Sequence, residues 1–220
     1  MKRTTKWKLK DPGSAITHLI GLAASVLAGI PLLYKAAREP GNLHLAALTV
    51  FVYSLILLYA ASSLYHSLNL SEKGNRRLKK FDHMMISVLI AGTYTPVCLL
   101  VLPSRYGLPL LLLIWAVALA GILIKACWVT CPRWFSSFLY ISMGWLCLLA
   151  LPALLTSLPQ NAFLWLLAGG LIYTAGGIIY ALKLPAFNAR HRHFGTHEIF
   201  HLFVMGGSLC HYVLFYQFVA

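Results

Sequence analysis

Apolar residues run along this chain in stretches of about 20, each closed by a short polar segment. Twenty residues of helix rise about 30 Å, the thickness of a bilayer's hydrocarbon core. The pattern predicts seven spans, over residues 14–34, 43–68, 81–103, 107–127, 135–156, 161–183 and 196–219. Turn chemistry marks the breaks: Glu39-Pro40-Gly41-Asn42, Lys73-Gly74-Asn75, Pro103-Ser104, Cys131-Pro132 and Leu158-Pro159-Gln160. Connections this short make consecutive helices antiparallel. The expected fold is all-α, a seven-helix transmembrane bundle forming one domain over residues 14–220, preceded by a basic segment over residues 1–13.

Composition rules out the alternative of buried core helices in a soluble domain. Of 220 residues, 60% are hydrophobic and only 10% charged, too little polar surface for a soluble chain of this length. The positions of Lys and Arg then orient the bundle. The N-terminal segment, the connection between the second and third spans, and the regions joining the fourth to the fifth and the sixth to the seventh hold fifteen of the eighteen. Lys35, Arg38 and Arg105 are the three on the opposite side. The positive-inside rule puts the fifteen, and the N-terminus, in the cytoplasm, and the C-terminus outside. The net charge of +13 is therefore read as topology and contact with anionic lipid headgroups, not as nucleic-acid binding. The first apolar stretch is long for a cleaved signal peptide and fits an uncleaved anchor.

Several features are read as packing. Gly21, Ser25 and Gly29 make one small-residue face, and Gly169, Gly170, Gly176 and Gly177 another, each allowing close helix approach in lipid. Pro96 and Pro152 lie within spans and are expected to kink them. Trp7, Trp134 and Tyr212 suit interfacial anchors. All five cysteines, including the Cys127/Cys131 pair near the inner face, are treated as small apolar residues.

Ionisable groups at membrane depth are costly, so each is a functional candidate. Asp11, Glu39 and Glu72 fall in tails or loops, whereas Asp82 and Glu198 begin the third and seventh helices. Ser62 and His66 are spaced i, i+4 on the second helix, and His197 and His201 likewise on the seventh. Such pairs share a face about 6 Å apart. With the orientation fixed by Lys and Arg alone, His66, Asp82, His197 and His201 all lie at one depth, just beneath the inner headgroups. Three histidines and an open position are the pattern of a catalytic zinc, which acidifies a water. Asp82 suits the role of proton acceptor for that water, and Ser62 that of hydrogen-bond donor to substrate or oxyanion. The structural alternatives are an N-terminal cap for Asp82 and a back-bond from Ser62 to the Leu58 carbonyl.

The other histidines carry less. His18 begins the first helix at the same inner depth and is a candidate outer partner of the site. His83 adjoins Asp82 but points about 100° away around the helix. His211 lies ten residues beyond His201, roughly 15 Å further out. His44 is near the outer face, and His191 and His193 belong to a basic loop. His197-Glu198-Ile199-Phe200-His201 matches HExxH, in which Glu is the general base of a zinc protease. No Asp or Glu follows His201, so a third ligand must come from upstream. A metalloprotease using Asp82 as that ligand is one alternative, and a simple helix-start role for Glu198 is another.

Ser62-x-x-x-His66, Asp82 and His197-x-x-x-His201 together resemble the hemolysin III family. These are bacterial relatives of the progestin and adipoQ receptors, within a superfamily that includes alkaline ceramidases. Ala61-Ser62-Ser63-Leu64-Tyr65-His66, Lys80-Phe81-Asp82-His83, Ala91-Gly92-Thr93-Tyr94-Thr95-Pro96, Met143-Gly144-Trp145 and Gly206-Gly207-Ser208-Leu209-Cys210-His211 carry the same likeness from about Asp11 onward. The resemblance implies a multi-pass protein of the bacterial inner membrane. It also implies a zinc ion held by His66, His197 and His201, with Asp82 reaching it through water and Ser62 close by. A zinc-dependent hydrolase of lipid or amide substrates is the leading expectation, with membrane lipids as its surroundings. The alternatives are a non-enzymatic sensor of membrane state with a structural zinc, and a pore-forming, cytolytic protein.

Overall fold

Seven long helices account for the apolar stretches: α1 (Pro12–Ala36), α2 (Leu43–Ser67), α3 (Glu72–Val101), α4 (Ser104–Cys127), α5 (Arg133–Ser157), α6 (Gln160–Leu182) and α7 (Thr196–Phe218). They come from a computed structural model that describes residues 9–191 and 194–220. Trp7 and His193, and the basic residues Lys2, Arg3, Lys6, Lys8 and Arg192 counted on the inner side, lie outside the described residues. One short helix, Pro185–Arg190, sits between α6 and α7, and there is no strand among the described residues. Each helix is long and apolar enough to cross a membrane. The chain is a multi-pass membrane protein.

Helices pack mainly on their chain neighbours, and α1 also packs on α7, which closes the bundle into a ring. Leu32, Leu48, Phe51, Ile114, Leu214 and Phe215 are completely buried at its centre. The small-residue faces serve this packing within the chain. A Cβ on Gly21 would come within 2.8 Å of the Tyr59 ring, and one on Gly169 within 2.5 Å of the His211 ring. α1 and α2, and α6 and α7, are thus held at separations that only glycine allows.

The expected break at Lys73-Gly74-Asn75 is corrected by the structure. Those residues lie inside α3, which begins at Glu72 after a turn over residues 68–71. Ser71 caps it, its side chain accepting from the Gly74 amide. The polar start of α3 is thus two extra helical turns rather than a loop. Asp82 follows ten residues after Glu72, so it is not in the first turn and is not a cap.

The prolines mark irregular turns as expected. Directly after Pro96, residues Val97–Val101 widen into a π turn. Before Pro152, residues Leu146–Ala150 tighten into a 3₁₀ turn that divides α5. Tyr94 spans that division. Its hydroxyl lies 2.6 Å from the Gly144 carbonyl, to which it donates, and accepts from the Cys147 amide at 2.8 Å. Backbone groups freed by the break thereby find a partner away from water.

Candidate metal centre

Residues of α1, α2 and α7 build the cluster. The three histidines His66, His197 and His201 each offer a ring nitrogen, and these atoms lie within 4.8 Å of one another. The His66 and His197 Nε2 atoms are 3.2 Å apart. Two ligands at tetrahedral positions 2.0–2.1 Å from an ion lie about 3.4 Å apart, so this edge already has the separation a metal needs.

The outward nitrogens are equally informative. His66 Nδ1 donates to Asp11 Oδ2 at 3.0 Å. A carboxylate only accepts, so the proton is on Nδ1 and Nε2 is left bare. Thr17 does the same for His201. The Thr17 hydroxyl has its own proton directed at the carbonyls of Gly13 and Ser14, at 2.9 and 3.0 Å. It therefore accepts from His201 Nδ1 at 3.1 Å, which again leaves Nε2 for a metal. Two of three rings are locked in the tautomer that ligation requires, and this donor set fits a divalent ion such as zinc.

Asp11 is held by the backbone as well. Its amide donates to the His66 carbonyl at 2.9 Å, and the Lys10 amide and ammonium reach the Ser67 and Tyr65 carbonyls. These groups satisfy carbonyls at the end of α2 that have no partner within the helix. Lys10 also sits 3.6 Å over the Tyr65 ring, and partial burial holds its amine below the ordinary value, an effect Asp11 offsets in part. Asp11 lies in the tail before α1, as expected, but its contact with His66 is one the spacing of the histidines does not reveal.

A cavity of about 200 Å³ adjoins the cluster. His18, Ser62, Asp82, His197 and His201 all line its inner end. Asp82 is buried, and its Oδ2 lies 3.1 Å from His83 Nδ1. The other carboxylate oxygen has no protein partner among the described residues. His83, expected to point away, instead lines the cavity and orients Asp82. Ser62 is buried and makes no hydrogen bond to Leu58, so its hydroxyl is left for the cavity. His18 stacks on His201, with ring centroids 3.5 Å apart and planes at 12°. Neither His18 nitrogen has a hydrogen-bond partner among the described residues.

Glu198 is committed elsewhere. Its Oε2 accepts from the Gly195 amide at 2.8 Å, closing the start of α7, and its Oε1 accepts from Ser14 at 2.5 Å. HExxH here is therefore two candidate ligands flanking a capping residue that ties α7 to α1. The five cysteines are unpaired. Cys131 is more than an apolar filler, because the fully buried Lys125 ammonium donates to its sulfur at 3.0 Å and to Ser136 Oγ at 2.5 Å.

Fold and cluster together define a multi-pass membrane protein with three histidines converging between its first, second and last helices. A sequence model of the family described as Haemolysin-III related matches residues 6–212, and the chain belongs to that family. It is 38% identical to Hemolysin-3 of Bacillus cereus over 218 residues, covering 98% of this chain and 95% of that one. It is 39% identical to a Hemolysin-3 homolog of Bacillus subtilis (strain 168) over 209 residues, 94% of each. An adiponectin receptor protein of Drosophila melanogaster is 24% identical over 220 residues, 92% of this chain and 49% of that protein.

Proposed function

We propose that this protein is a zinc-dependent hydrolase of lipid or amide substrates in the bacterial inner membrane, with its site near the cytoplasmic face. One observation carries the reading: a buried carboxylate oxygen and a serine hydroxyl, neither with a hydrogen-bond partner among the described residues, share an apolar cavity with two of three clustered histidines. A purely structural metal would need neither. Zinc is favoured by an all-imidazole donor set. When bound it would acidify a water and polarise a carbonyl.

The chain's own residues supply the rest. The free oxygen of Asp82 takes a proton from the attacking water and returns it to the leaving amine or alkoxide as the C–N or C–O bond breaks, and His83 holds that carboxylate in one orientation by donating to Oδ2. Ser62 donates to the substrate carbonyl as negative charge develops on its oxygen. Asp11 and Thr17 keep His66 and His201 in the ligating tautomer. Apolar walls, among them Leu89, Val97, Leu154 and Phe163, hold an acyl chain and exclude bulk water.

The test is turnover of long-chain N-acyl lipids, followed by mass spectrometry, with wild type and Asp82→Asn. The expected result is a loss of roughly 10²-fold or more in Asp82→Asn with zinc content unchanged. Wild-type turnover in Asp82→Asn would contradict the role of that residue. No turnover of any lipid class by zinc-loaded wild type would favour the non-enzymatic reading.

A further inference from the structure

The cavity wall is not apolar throughout. Beyond the histidine cluster it is lined by Tyr173 of α6 and His211 of α7, and past them by apolar residues such as Leu154 and Phe163. His211 is ten residues beyond His201 along α7, roughly 15 Å at 1.5 Å per residue. Its side chain is buried, with 6% of its surface exposed. His211 Nδ1 lies 2.8 Å from the Gly207 carbonyl. A carbonyl only accepts, so Nδ1 carries the proton and Nε2 is an acceptor with no protein partner among the described residues.

Tyr173 supplies the matching donor. Tyr59, Ser208 and Tyr173 form a line of three hydroxyls, with Tyr59 Oη 2.7 Å and Tyr173 Oη 2.9 Å from Ser208 Oγ. Three protons serve two contacts, so one is left over. Tyr59 is 2% exposed and does not border the cavity, so Ser208 is the acceptor for its proton. A hydroxyl proton stranded in the core would cost about 1–3 kcal/mol. Ser208 then donates to Tyr173, and the spare proton belongs to Tyr173, which lines the cavity. The Tyr173 and His211 rings stack with centroids 5.6 Å apart and planes at 20°, and both line the cavity.

We propose that Tyr173 and His211 form a second polar subsite that binds a hydroxyl on the chain of an amphiphilic ligand, roughly 15 Å from the group held at the histidine cluster. One acceptor and one donor match a hydroxyl, which needs one of each. The walls on either side of the pair are mainly apolar and match methylene groups. The natural ligand is therefore a single chain, polar at its head and hydroxylated roughly 15 Å along its length. This deepens the proposed function, because the head is taken to sit at the metal centre.

The experiment compares two acids with the same head and the same number of heavy atoms, 12-hydroxydodecanoic acid and tridecanoic acid. Binding is measured to zinc-loaded, detergent-purified full-length protein. The hydroxy acid is expected to bind roughly tenfold tighter, about one hydrogen bond's worth. Moving the hydroxyl to carbon 6 should abolish the gain. In Tyr173→Phe and His211→Phe the preference should reverse toward tridecanoic acid, with zinc content and monodispersity as the folding check. Preference for tridecanoic acid in wild type, a preference untouched by both variants, or binding of neither acid would overturn the subsite. Chelating zinc reads the head separately: it should weaken both acids together and leave their ratio intact. Failure of the metal reading would appear as unchanged affinities, and failure of the subsite as an absent ratio.

Discussion

Asp11 and Thr17 touch no candidate metal directly, yet they decide what His66 and His201 can do. Each accepts a hydrogen bond from Nδ1 and so frees Nε2. Removing such a partner typically lowers metal affinity 10–100-fold. Asp11→Asn and Thr17→Val should each weaken zinc binding by that order in competition with a chromophoric chelator, while the protein still folds. Affinity equal to wild type in both would mean that the tautomers are set by something else. At this scale the sequence was legible where spacing spoke: the His66, His197 and His201 set follows from two i, i+4 pairs at one depth. It was silent where contacts are remote. Asp11 and His66 are 55 positions apart, and only folding shows that a residue just before α1 closes over the end of α2. The signal available was that Asp11 is one of just five acidic residues in the chain and lies at the same inner depth. His18, Thr17 and Ser14 also share a face with Gly21 and Ser25, a polar continuation of the packing stripe.

Within single elements the informative features are the interruptions. Pro152 signalled irregularity in α5, but the 3₁₀ turn precedes it, because proline leaves unbonded the carbonyl four residues earlier. Tyr94 of α3 restores hydrogen bonding there, a contact that no local pattern reveals. Tyr94→Phe should destabilise the protein by about 1–3 kcal/mol, through backbone groups left unpaired in a buried site. The measurement is thermal unfolding in detergent, and zinc content should not change. Unaltered unfolding would show that the break in α5 is held by packing alone. Lys73-Gly74-Asn75 misled in the opposite sense. Residues that usually mark turns can continue a helix when a better cap precedes them, and Ser71 is that cap. That shift matters to the site, since it moves Asp82 from a capping position into the third turn of α3.

Across the whole molecule, the seven spans were legible because a bilayer demands stretches of one length and polarity, and the family likeness followed from motifs spread over nearly the entire chain. The Lys and Arg asymmetry predicts an outer C-terminus: alkaline phosphatase fused after Ala220 should be active, and a cytoplasm-dependent reporter there should not. The relatives' name raises lysis, but the cavity is lined mainly by apolar residues, so planar bilayers containing the purified protein should show no steady conductance. A metal at the cluster would join α2 to α7, with α1 attached through Asp11 and Thr17. That junction is the central claim, and metal content tests it most directly. Inductively coupled plasma mass spectrometry on detergent-purified protein should find about one zinc per chain, lost in His66→Ala, His197→Ala and His201→Ala. Well-folded wild-type protein without zinc, or variants that keep it, would contradict the account.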